Sequence, residues 1–93
     1  MDIKEKLRKY FELTSRALKK VKISDGLDSK AKKSAEDFLD LANRYYYDAK
    51  YFEKKGDLIN AYGAVVYSHA FLDAGARIGF FDVGKDNELF MVD

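Results

Sequence analysis

Residues 45–75 read YYYDAKYFEKKGDLINAYGAVVYSHAFLDAG, and the step Lys55-Gly56-Asp57 in their middle decides the fold. Glycine accepts the left-handed conformation that stops a helix, and the aspartate after it caps the first amides of the next one. So short a link turns the chain straight back, which makes the flanking segments antiparallel neighbours. Upstream, Ala31, Ala35, Phe38, Ala42, Tyr45, Ala49 and Phe52 keep a four-three spacing that predicts a helix over about 29–55. Downstream, Leu58, Tyr62, Val65, Leu72 and Ala76 carry an apolar stripe towards a second glycine stop at Gly79, which predicts a helix over about 58–78.

Ahead of this pair, Ile3, Leu7, Tyr10, Thr14, Leu18 and Val21, widened by Phe11 and Ala17, predict an amphipathic helix over about 2–22. Ser24 to Asp28 form a polar, glycine-containing turn, with Asp28 or Ser29 placed to cap the second helix. After Gly79 the tail, 80–93, has no helical period, yet Leu89-Phe90-Met91-Val92 is an apolar run that should fold back onto the helices. The expectation is one all-α domain over 1–93, a three-helix up-down-up bundle with a short non-helical C-terminal tail. In that topology the third helix ends beside the turn joining the first two, and the tail leaves from the same end.

Composition sets limits on chemistry. The 93 residues contain no Cys, Pro or Trp, which excludes disulfide-stapled, cysteine-ligated and collagen-like architectures. Fourteen aromatics, seven Tyr and seven Phe, supply a core for so small a chain. No stretch resembles a secretory signal or approaches a membrane span, so the reading is a cytoplasmic protein with no membrane partner. No glycine-rich phosphate loop follows a strand, and no cofactor is expected.

The net charge of +1 conceals a division. Residues 1–33 hold eleven basic and five acidic side chains, net +6, and residues 34–93 hold six basic and eleven acidic, net −5. Lys19, Lys20 and Lys22 close the first helix, where the helix dipole favours cations. Lys30, Lys32 and Lys33 open the second, where the same dipole opposes them, so helix stability does not account for that choice. One reading is a phosphate-contacting surface for nucleic acid, weakened steeply by salt. The other is that the acidic tail residues Asp82, Asp86, Glu88 and Asp93 lie over these lysines.

The third helix has only Asp73 and Arg77 as formal charges between Leu58 and Ile78. Opposite its core stripe, Tyr67, Phe71, Ala74 and Ile78 form a second, uncharged one. An outer helix with a spare apolar face needs a cover. The candidates are a protein partner or a second copy of the chain, giving a homo-oligomer, and the run Leu89 to Val92.

His69, Asp73 and Arg77 follow at four-residue intervals along one ridge. An aspartate can raise the basicity of a neighbouring histidine for proton transfer, and an i, i+4 pair can ligate a metal. Neither chemistry finds its further parts, since there is no second His, no Cys and no adjacent nucleophile. A buried histidine held by hydrogen bonds, with Asp73 paired to Arg77, is the structural alternative. Of the clustered tyrosines, Tyr45 and Tyr46 belong with the core stripe, and Tyr47 and Tyr51 with the outer face beside Arg44, Lys50 and Lys54.

The stretch from Tyr45 to Gly75 and its continuation ARIGFFDV resemble the archaeal domain-of-unknown-function family numbered 357. The resemblance is carried by Lys55-Gly56-Asp57, Asn60-Ala61, Tyr67-Ser68-His69, Leu72-Asp73-Ala74-Gly75, Arg77-Ile78-Gly79 and Phe81-Asp82-Val83. It implies a three-helix bundle and an archaeal, cytoplasmic origin, and it implies no activity. The residues themselves lead to a non-enzymatic interaction or self-association module, with a nucleic-acid-associated protein second and an enzyme centred on His69 and Asp73 third.

Overall fold

A computed structural model describes residues 2–91. Among them are three helices, α1 (Ile3–Lys20), α2 (Ser29–Lys54) and α3 (Leu58–Arg77). Each begins at an aspartate whose carboxylate accepts an amide proton three residues on. Asp2 takes that of Glu5, Asp28 that of Ala31 and Asp57 that of Asn60. At the end of α2, Gly56 has φ +78°, and the Asp57 amide donates back to the Phe52 carbonyl, closing the helix in a Schellman turn.

The connectivity is up-down-up, but the third helix is not an outer one. α3 is the central element. It packs along both α2 and α1, which meet each other at few points, such as the edge-to-face pair Phe11 and Tyr46. This corrects the picture of an outer helix with a spare half, and it explains why α3 has so few charges: two of its faces are committed to neighbours.

The α2 face is a seam of small residues. Ala35, Ala42 and Ala49 recur every seven residues on α2, and Ala61, Ser68 and Gly75 do the same on α3; all six are buried. The Ser68 hydroxyl donates to the Ala42 carbonyl at 2.6 Å, a contact possible only where the two backbones approach closely. That bond fixes an antiparallel register in which Ala49 lies level with Ala61, and Ala35 with Gly75. Towards α1, Val65, His69 and Leu72 meet Leu7, Phe11, Thr14 and Ala17.

α1 ends at Lys20, short of the expected boundary near 22, because Val21 turns extended (ψ 139°). The chain then makes a single antiparallel bridge between Ile23 and Phe81, with Ser24 N donating to Phe80 O and Asp82 N to Lys22 O, both at 2.9 Å. The α1/α2 connection and the end of α3 are thereby joined. Residues 82–91 run on from this point as a non-helical strap, with Leu89 and Phe90 only 6% and 1% exposed. Val92 and Asp93, both part of the sequence expectation for the tail, lie outside the described residues.

Candidate functional site

Three places bring together the residues singled out in the sequence. The first is the ridge of α3. His69 is buried between α1 and the strap, and both ring nitrogens are engaged. Nε2 lies 2.8 Å from the Leu89 carbonyl, which can only accept, so Nε2 carries the proton. In the neutral ring Nδ1 is then the acceptor and takes the Thr14 hydroxyl proton at 3.0 Å. Asp73 turns to the strap, its Oδ1 accepting the Met91 amide at 2.9 Å and lying 3.6 Å from His69 Nε2. Arg77 is exposed at the C-terminal end of the same helix. The imidazole thus has no nitrogen free for a substrate or metal, although its edge borders a hollow of about 240 Å³ lined by Tyr10, Leu13, Val66 and Ala70. Among the described residues no three His, Cys, Asp or Glu side chains cluster to hold a metal ion.

Thr14 is the member of this arrangement that sequence reasoning missed as a partner. It sits in the apolar stripe of α1 and is wholly buried. A threonine at a core position marks a buried polar contact, and the lone histidine of the chain was the group available to receive it.

The second place is the uncharged stripe of α3. Tyr67 and Ile78 are 53% and 58% exposed, and Ala70 and Ala74 are exposed between them. Phe71 departs from the expectation. It is half-buried against α2, edge-to-face with Phe38 at 5.5 Å and stacked on Tyr45 at 6.0 Å. Tyr67 leans on Tyr45 at 4.7 Å. Phe38, Tyr67 and Phe71 wall a shallow apolar groove of about 300 Å³ floored by Ala70 and Ala74. The strap lies on the α1 side of α3, and its described residues contact His69 and Asp73 there. Gly63 continues the exposed stripe one heptad before Ala70.

The third is the basic end. Lys20 pairs with Asp86 and Lys22 with Asp82 at 4.0 Å, while Arg16, one turn earlier, reaches Glu88 at 3.8 Å. Asp86 also accepts the Glu88 and Leu89 amides, both at 3.0 Å. The Lys20 hydrogen bond first, and the Leu89 amide next, hold its carboxyl below the ordinary aspartate value. Lys19, Lys30, Lys32 and Lys33 are exposed, with no ion pair among the described residues. Among the described residues the acidic tail therefore pairs with Lys20 and Lys22 and with none of the lysines that open α2. On α2, Tyr47 and Tyr51 are exposed, and Lys55 lies over the Tyr51 ring at 5.6 Å.

The described residues form a small all-α protein of three helices, and its family is recognisable. The family described as "Protein of unknown function (DUF357)" matches residues 9–81, most of the chain, and the chain belongs to it. No curated protein and no solved structure gives a significant match. No helix among the described residues is long and apolar enough to cross a membrane.

Proposed function

We propose that this member of the family is a non-enzymatic helical interaction module, working in the cytoplasm of an archaeal cell and associating through the exposed face of α3. A second copy of the chain is the partner that face fits. The observation that carries this reading is Gly63. A glycine inside a helix costs about 0.5–1 kcal/mol relative to alanine, and beyond the local helix backbone and its chain neighbours no atom lies within 4 Å of the place a Cβ would take, so no packing contact among the described residues calls for it. Gly63, Ala70 and Ala74 share one uncharged face with Tyr67 and Ile78. Small residues let a second helix approach closely, and the flanking large side chains then interlock. Ala70→Glu tests it, because Ala70 is exposed and its replacement disturbs no core contact. The variant should keep its helix content and lose solution mass.

A second reading rests on Lys19, Lys30, Lys32 and Lys33, with which no acidic side chain among the described residues pairs. Three of these open α2 against its dipole, the arrangement expected where an external polyanion supplies the counter-charge. A salt series of single-stranded RNA and duplex DNA binding to the full chain tests it. Affinity falling steeply with salt, and lost on replacing Lys30, Lys32 and Lys33 by serine, supports it, and no binding at low salt ends it.

A further inference from the structure

Lys22, Lys20 and Arg16 meet Asp82, Asp86 and Glu88 in that order. The two series run in opposite chain directions, so the strap lies antiparallel along the end of α1 as a bound peptide would. Past this ladder Leu89 and Phe90 enter the core. The strap backbone is read from α3, with His69 donating to the Leu89 carbonyl and Asp73 accepting the Met91 amide. Complementary charge, buried sites for two consecutive apolar side chains and main-chain hydrogen bonds from fixed side chains are the parts of a peptide-recognition groove. None of them needs the peptide to be covalently joined to the same chain. The link is Gly84-Lys85, both exposed. Gly84 has φ +63°, its amide donates only to the neighbouring Asp82 Oδ1 at 3.2 Å, and no other segment lies within 4 Å of its Cβ position, so the link is held by local turn contacts alone.

We propose that the groove between α1 and α3 is a peptide-docking site, and that the occupant it takes in trans is residues 84–91 of a second copy, each chain giving its strap to the other. Asp86-Asn87-Glu88-Leu89-Phe90 carries the acidic and apolar side chains that the groove receives, in the required order. A second copy presents that segment together with a vacated groove, so the exchange closes on itself with two-fold symmetry. The contacts in the exchanged dimer are those already seen within one chain. The exchange therefore grows with protein concentration and is independent of the exposed α3 face.

The absence of native cysteine makes a direct test available. Full-length Arg16→Cys and Glu88→Cys chains, both also carrying Ala70→Glu to block the α3 face, are mixed at high concentration and treated with a short bis-maleimide. Strap exchange places position 88 of one chain beside position 16 of the other. Cross-linked heterodimers should then exceed the two homodimers combined severalfold. Equal yields, or monomers alone, would overturn the proposal. A second measurement uses a fluorescein-labelled peptide of residues 84–91 against full-length Phe90→Ala, whose own strap has lost its main anchor. Saturable binding, abolished by alanines at the peptide's Leu and Phe positions, is expected. Failure of the peptide to bind, with the variant's helix content intact, counts against the groove. If Phe90→Ala does not fold, the cross-linking result decides alone.

Discussion

His69 Nε2–H donates to the Leu89 carbonyl across 2.8 Å, tying the middle of α3 to a strap twenty residues later. The bond does two things. It satisfies a buried imidazole, and it fixes the tautomer that leaves Nδ1 to accept from Thr14 on α1. One side chain thus joins α1, α3 and the strap. The residue that looked most like a catalytic base in the sequence has both ring nitrogens hydrogen-bonded within the fold.

Thr14→Val keeps the shape and removes the hydroxyl that satisfies Nδ1. A buried acceptor left without a donor costs about 1–3 kcal/mol. Urea denaturation should show that loss with the slope unchanged, and a variant as stable as the parent would mean that the hydrogen bond contributes nothing net.

Gly75 and Gly63 should respond in opposite directions to alanine. At Gly75 a Cβ would fall 2.2 Å from the Phe81 ring, so Gly75→Ala forces the ring and the Ile23–Phe81 bridge to shift. Overpacking of that kind costs about 1–3 kcal/mol. At Gly63 nothing is in the way, and Gly63→Ala should stabilise the isolated chain by about 0.5–1 kcal/mol. Thermal unfolding of the two variants at a dilution where association is negligible reads both signs.

These glycines also show what was and was not legible in the sequence. Lys55-Gly56-Asp57 and the apolar spacings gave the helices and their order, because capping and periodicity are local. The central position of α3 was hidden, since its contact with α2 is made by Ala61, Ser68 and Gly75. Serine and glycine do not register as apolar, and their role depends on how closely two backbones approach. Phe71 was misplaced for the same reason: on a helix packed from two sides, a second apolar stripe need not be solvent-facing. The ladder of Arg16, Lys20 and Lys22 with the strap was half visible as a charge division, but its pairing depends on the path of a segment without periodicity.

Acid should release the strap. Lys20 and the Leu89 amide hold the folded Asp86 carboxyl below its ordinary value. A depressed folded value means that the stabilisation is complete above the unfolded value, about 4, and is lost as the pH falls through the folded one. The Leu89 methyl and Phe90 ring resonances should move towards unstructured positions over that acidic range. Asp86→Asn should remove this component of the pH dependence, and an undiminished transition in the variant would assign it to another carboxylate.

Ala42→Leu should be among the most damaging single changes in α2. It inserts a branched side chain where the Ser68 hydroxyl reaches the Ala42 carbonyl at 2.6 Å. Helices held this close have no room to repack, so a loss at or above the upper end of about 1–3 kcal/mol is expected. Far-ultraviolet circular dichroism during denaturation measures it, and a loss under that range would show that the seam can open cheaply.

Association through α3 is tested most directly by light scattering of the full chain and of Ala70→Glu across one concentration series. The account predicts that the parent rises above its monomer mass of 10.7 kDa, while Ala70→Glu, with the same helix content, shows a clearly lower mass at every concentration. A parent that stays at the monomer mass throughout, or a variant that follows the same curve as the parent, would contradict it.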